Sequence, residues 1–175
     1  MRALVWIVED TWEATVDEAA DLLPAGAEVT LLHVAPASAE AVAGGARNGL
    51  LGRHRPGPPE PFRAISEAAA ASLLEDARER LGREATLVAR VGRVEREVVA
   101  AAEDADLLVL ARDGDHERLG PHSLAPPARF VVDHAPCRVL LVWPDTPPPV
   151  ATIPAPKAKP KPKPKPKPKP KPQAF

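Results

Sequence analysis

The sequence predicts a doubly wound α/β domain, a parallel sheet with helices on both faces, followed by a tail that does not fold. Three observations predict it. Five short runs rich in Val and Leu, at 3–8, 29–34, 85–89, 106–111 and 138–143, are too short for helices. None alternates cleanly between apolar and polar, as expected of strands covered on both faces. Helical periodicity fills the gaps between them. The chain is 45% hydrophobic but only 3% aromatic, so its core is built from Ala, Val and Leu, residues whose small faces let helices pack closely on a sheet.

The elements follow in order. After the first strand, Asp10 and Glu13 form a capping box, and Trp12, Val16, Ala19, Ala20 and Leu23 recur at helical spacing until Pro24-Ala25-Gly26 stops the helix. The second strand leads into residues 35–62, a stretch rich in Gly, Pro and Ala. Segments of this length are lids, binding loops or disordered insertions, and a disordered insertion is the expectation here. A helix over 64–81 turns Ile65, Ala68, Ala69, Leu73 and Ala77 inward, with Gly82 past its end. Helices over 94–103 and 127–133 separate the last three strands. The order β-α-β-loop-α-β-α-β-α-β is that of a doubly wound domain with right-handed crossovers.

Charge divides the chain in two. Fifteen arginines against twenty-four carboxylates leave the first 145 residues at −9, whereas all eight lysines lie in the tail and give it +8. These are Lys157, Lys159, Lys161, Lys163, Lys165, Lys167, Lys169 and Lys171, mostly alternating with proline. Proline at every second position removes backbone donors and the lysines repel, so residues 146–175 are expected to be disordered and extended in polyproline-II fashion. Two readings of this run stand: a solubilising spacer, or an electrostatic contact for polyanions and acidic protein surfaces. The acidic domain itself is a poor nucleic-acid binder. The start, MRALVWIVED, meets acidic residues too soon for a signal peptide, no run is long enough to span a membrane, and the single Cys137 forms no intrachain disulfide. A cytoplasmic setting is the expectation.

The most specific stretch is Ala105-Asp-Leu-Leu-Val-Leu-Ala-Arg-Asp-Gly114, followed by a helix ending in His134-Ala-Pro-Cys137 before an apolar strand. With Ala27-Glu-Val-Thr-Leu-Leu-His-Val34 and Val91-Gly92 before an amphipathic helix, residues 1–144 resemble the universal stress protein family. The resemblance implies a five-stranded sheet in the order 3-2-1-4-5 and a homodimer formed through the last strand. It also implies a non-enzymatic binding or regulatory protein. Members that bind ATP typically carry an Asp at the end of strand 1. They also carry G-x2-G-x9-G-(S/T) after strand 4, whose glycines let backbone N–H groups approach phosphates.

This chain departs from that pattern. The first-strand Asp position falls at about Val8, the first loop glycine is Ala111, and the G-(S/T) pair is Ala125-Pro126. Proline has no N–H to offer. Gly114 matches the second glycine, and Gly120 and Ser123 are the residues left to substitute. The resemblance therefore gives a degenerate nucleotide site at Val34, Arg112, Gly114, Gly120 and Ser123. Glu9, Asp10, Asp113 and Asp115 lie at the strand ends where a triphosphate would sit, against Arg112, His116, Arg118 or a Mg²⁺ ion. The expectation is no cofactor, with ATP and Mg²⁺ the alternative. A nucleotide-acting enzyme is a further alternative, although neither HxGH nor SGGxDS occurs.

The remaining candidates have plainer readings. Cys137 is expected to be a small buried hydrophobe and His134 to bond terminal helix carbonyls. His33 is either a satisfied core histidine or a residue whose backbone lines the site. His116 and His122 stand near three carboxylates, but their spacing matches no zinc signature, and no catalytic or metal-ligating residue is assigned. Arg53-His54-Arg55 reads as a solvated loop.

Overall fold

The computed structural model describes residues 1–37 and 60–154, and of 60–63 the backbone alone. Among these residues nine main elements alternate along the chain: β1 (Arg2–Ile7), α1 (Trp12–Leu22), β2 (Glu28–Pro36), α2 (Glu60–Leu81), β3 (Thr86–Gly92), α3 (Val94–Ala101), β4 (Leu107–Ala111), α4 (Pro126–His134) and β5 (Arg138–Val142). The five strands form one sheet in the order β3-β2-β1-β4-β5, with every pairing parallel. This is the order expected. β1 is central, and its Val5 pairs with Leu31 on one side and Val109 on the other.

Period-two strand geometry explains why the runs do not alternate. Ala3, Val5 and Ile7 enter one buried cluster with Val16, Ala19, Leu74 and Ala77, beneath α1 and α2. Leu4 and Trp6 enter a second cluster with Val98, Ala128 and Val131, beneath α3 and α4. Both faces of the strand are dry, so both must be apolar. Each fully buried Val or Leu contributes roughly 2 kcal/mol, which makes these two layers the main support of the fold.

Several local expectations give way to the structure. Helix α1 begins at Trp12 with Thr11 as its cap residue and no side-chain cap bond, so Asp10 and Glu13 form no capping box. Instead Thr15 sends both its amide and its hydroxyl to the Thr11 carbonyl. Helix α2 starts at Glu60 and buries Ala70, Leu74, Ala77 and Leu81, whereas Ile65 is 67% exposed and Ala68 and Ala69 face outward. The expected stripe is right at its C-terminal end and out of phase at the start. An alanine-rich helix offers apolar residues on several faces, and packing selects the one that meets the sheet. Of the expected loop 35–62, residues 35 and 36 extend β2, 60–62 belong to α2, and 38–59 lie outside the described residues.

Residues 146–154 also depart from the expected unfolded tail. They carry a 3-10 turn at Val150–Thr152 and lie against the loop that follows β4, with the Leu119 amide donating to Thr152 Oγ1 at 3.0 Å. The lysine run lies outside the described residues. At the opposite end of the sheet, Arg83 donates to the carbonyls of Leu23, Pro24, Ala25 and Ala27, which ties the turn after α1 to the segment after α2.

Candidate functional site

In an open parallel sheet the ligand crevice opens beyond the C-terminal strand ends where the winding reverses, here between β1 and β4. β1 delivers Val8, Glu9 and Asp10, and the Thr11 amide closes a tight turn onto the Val8 carbonyl at 3.0 Å. From the neighbouring strand His33 donates through Nδ1 to the Ile7 carbonyl at 3.0 Å. His33 is thus a partly buried, satisfied histidine that braces β1 against β2. Val34 is buried in the core cluster beneath α3 and α4, so its side chain serves packing rather than the crevice.

The loop over 112–125 forms the other wall, and it is folded onto itself. Gly114 and Asp115 donate their amides to the carbonyls of Ser123 and His122, at 3.1 and 2.8 Å. A β-carbon on Gly114 would meet the His122 carbonyl oxygen and would stand 2.9 Å from the Ser123 carbonyl carbon. The glycine is required by this close backbone approach. The Ser123 amide and hydroxyl both donate to Gly120, itself at φ 147°, a conformation that favours glycine. Ser123 is fully buried.

The acidic residues of the loop are engaged as well. Asp113 Oδ1 accepts the Ala125 amide at 2.8 Å, at the residue that caps α4. Asp115 Oδ1 accepts the Glu117 amide at 2.9 Å. A carboxylate at a helix N-terminus is favoured by the partial positive charge of the helix dipole. Glu9 and Asp10, joined by Glu13 and Asp145, line an acidic groove of about 350 Å³ beside Trp12 and Pro144.

Arg112 occupies the centre of this wall. Its Nη1 donates to the Ser123 hydroxyl, and its guanidinium lies 4.5 Å from the centroid of the Trp143 ring. Burial pushes its pKa down, and its Nε is buried with no bonding partner among the described residues. Arginine stays charged through such a shift, so the site holds a partly desolvated cation steadied by an aromatic face. His116 stands edge-on to the same Trp143 and donates from Nε2 to the Arg112 carbonyl at 2.8 Å, while its Nδ1 is 3.8 Å from Asp145.

Of the residues expected at the site, Arg112, Gly114, Gly120 and Ser123 are therefore brought together in one hydrogen-bonded loop. Trp143 and Asp113 in its cap role are additions that sequence reasoning missed. A signal for the cap existed in Pro126-Pro127, which marks a helix start that lacks a neighbouring Ser, Thr, Asp or Asn. The carboxylate that serves it comes from twelve residues upstream, beyond the reach of a local rule. Elsewhere, His134 donates from Nδ1 to the Phe130 carbonyl and stacks on the Phe130 ring, as a helix-end histidine should. Cys137 is half-buried against the second cluster, and burial raises its thiol pKa. Among the described residues no group of three or more metal-ligating side chains converges, and no helix is long and apolar enough to cross a membrane.

Residues 4–142 match the model of the Universal stress protein family. Solved structures share the fold at low identity. The hypothetical protein MJ0577, the subject of a structure-based assignment of biochemical function, aligns at TM-score 0.61 and 21% identity over 81% of this chain and 94% of its own. The universal stress protein UspA from Lactobacillus plantarum aligns at TM-score 0.55 and 21% identity, over 81% and 97%. A universal stress protein in complex with cAMP aligns at TM-score 0.54 and 16% identity, over 83% and 98%. No curated protein matches the chain significantly.

Proposed function

The chain belongs to the universal stress protein family, and from that premise we propose that it is a non-enzymatic binding and regulatory protein that does not hold ATP by its phosphate loop. The observation that carries this reading is the Asp113 carboxylate on the Ala125 amide. With Gly114, Asp115 and Ser123 also donating within the loop, four of its amides already have acceptors. Pro126, at the first position of α4, adds no donor. To bind a triphosphate the loop must break these bonds and bring phosphate charge against Asp113. Two potential nucleophiles are likewise occupied or damped: Ser123 by its bonds to Arg112 and Gly120, Cys137 by its raised pKa.

The working unit in this proposal is a cytoplasmic homodimer joined through β5, whose Val139, Leu140 and Leu141 are half-buried on a strand at the sheet edge. The lysine–proline run supplies contact with a polyanion or an acidic protein surface, its +8 opposed to the −9 of the domain.

Arg112 favours a second reading, a nucleotide with fewer charges. Among the described residues burial alone shifts its pKa, so one phosphate could serve as its counter-ion. The fold neighbour solved with cAMP carries a ligand of that kind. Calorimetric titration of the full chain separates the readings. Heat-silent titrations with both Mg²⁺·ATP and cAMP support the first, saturable cAMP binding alone supports the second, and micromolar ATP affinity rejects the first.

A further inference from the structure

Opposite β5, the sheet ends in β3, seven residues with β2 on one side and no strand on the other among the described residues. The backbone groups on that open side are a template for a further strand, and edge strands are commonly blunted by proline, lysine or other charged side chains. β3 contains neither proline nor lysine. Its one charged residue, Arg90, is drawn onto α3, where Nη1 donates to the Glu97 carbonyl and to Glu97 Oε2, each at 3.3 Å. Leu87 packs into the cluster beneath α1 and α2, but Ala89 and Val91, on the same side of the strand, are exposed, Val91 to 47%.

The strand complements itself. A second copy laid antiparallel and centred on Ala89 sets Ala89 against its own counterpart, Leu87 against Val91 and Val88 against Arg90. On the side of α1 and α2 this makes an unbroken row of apolar pairs that covers Ala89 and Val91. On the other side each Arg90 stays with its own Glu97. The flanking charges agree with the same direction. Exposed Glu84 precedes the strand, and Arg93, 75% exposed and paired with Glu95, follows it. An antiparallel copy brings Glu84 of each chain towards Arg93 of the other at both ends, whereas a parallel copy sets like charge against like.

From this we propose that the β3 edge is a self-association surface, and that its occupant is the β3 edge of a second copy, antiparallel about Ala89. The two-fold fit selects a second copy over an unrelated extended segment, because an isologous contact requires one patch to complement itself. β3 and β5 lie at opposite edges of the sheet, so this contact neither rests on the dimer proposed through β5 nor competes with it.

Thiol cross-linking of the full chain reads the register directly. On a Cys137→Ser background, Ala89→Cys should give a disulfide-linked dimer under mild oxidation, since opposed residues of an antiparallel pair lie about 5 Å apart at Cα. Leu87→Cys alone and Val91→Cys alone should cross-link poorly, and an equimolar mixture of the two should cross-link well. No cross-link at Ala89→Cys overturns the proposal, as does equal cross-linking of Glu18→Cys on α1, which would report random collision. Hydrogen exchange on the wild type decides the matter if these variants fail to fold. The β3 amides that do not face β2 should exchange about tenfold more slowly in concentrated than in dilute solution, as one added hydrogen bond implies. Rates that do not depend on concentration overturn the proposal. Slowing confined to Arg138–Val142 supports the β5 dimer and overturns the β3 contact.

Discussion

The Asp113 carboxylate accepts the amide of Ala125, twelve residues away, at 2.8 Å. One bond thereby closes the loop after β4 and caps the helix that leads to β5. It is an ordinary helix-capping interaction delivered from a distance.

Removing the cap should therefore cost stability before it changes binding. Asp113→Ala leaves the Ala125 amide without its acceptor and is expected to destabilise the fold by about 1 kcal/mol. Asp113→Asn keeps a side-chain carbonyl in place and should lose less. Urea unfolding followed by circular dichroism measures both, and an unchanged midpoint for Asp113→Ala would show that the bond does not cap the helix in solution.

Gly114 tests the closeness of the loop. Its substitution by Ala places a methyl group against the backbone of His122 and Ser123, which a side-chain rotation cannot relieve. A loss of about 2 kcal/mol is expected, in the range for overpacking against fixed atoms. At Gly26 a methyl group would meet nothing within 4 Å, so Gly26→Ala is the control and should be far milder. Comparable losses in the two variants would mean that the loop does not fold back as described.

Acid sensitivity should show the ion pair between α1 and α2. Arg80 donates twice to Asp17 at 2.7 Å, and this bond holds the Asp17 carboxyl below the ordinary aspartate range. A carboxyl with a depressed folded-state pKa stabilises the fold above its unfolded pKa, and that contribution is lost as pH falls through the folded value. Both side chains are largely exposed, so solvent screens the pair and the effect is small. Asp17→Asn is expected to be slightly less stable than wild type at pH 7, with the difference disappearing at low pH. A difference that persists undiminished there would assign the effect to packing.

The fold was legible because its signal is repeated. The inner strands β1, β2 and β4 each needed two apolar faces, and runs such as Leu107–Ala111 have them. Helix α1 was readable because Val16, Ala19 and Leu23 form its one long apolar row, whereas α2, with alanine on most faces, misled at Ile65. The site was half legible. Gly114, Gly120 and Ser123 are loop residues of the types that tight backbone approach and capping need, and they do meet. The use of Asp113, the Trp143 plate beneath Arg112 and the grip of Thr152 on Leu119 depend on contacts between residues 12 to 33 positions apart. No local pattern announces such pairs.

The most direct test follows the loop amides themselves. In ¹⁵N-resolved NMR spectra of the full chain, the Gly114, Asp115, Ser123 and Ala125 amides should keep their positions as Mg²⁺·ATP is added to millimolar concentration, because their donors are already bonded. Saturable shifts of those four signals at micromolar ATP would contradict this reading, since the loop would then have exchanged Asp113 and its own carbonyls for a phosphate.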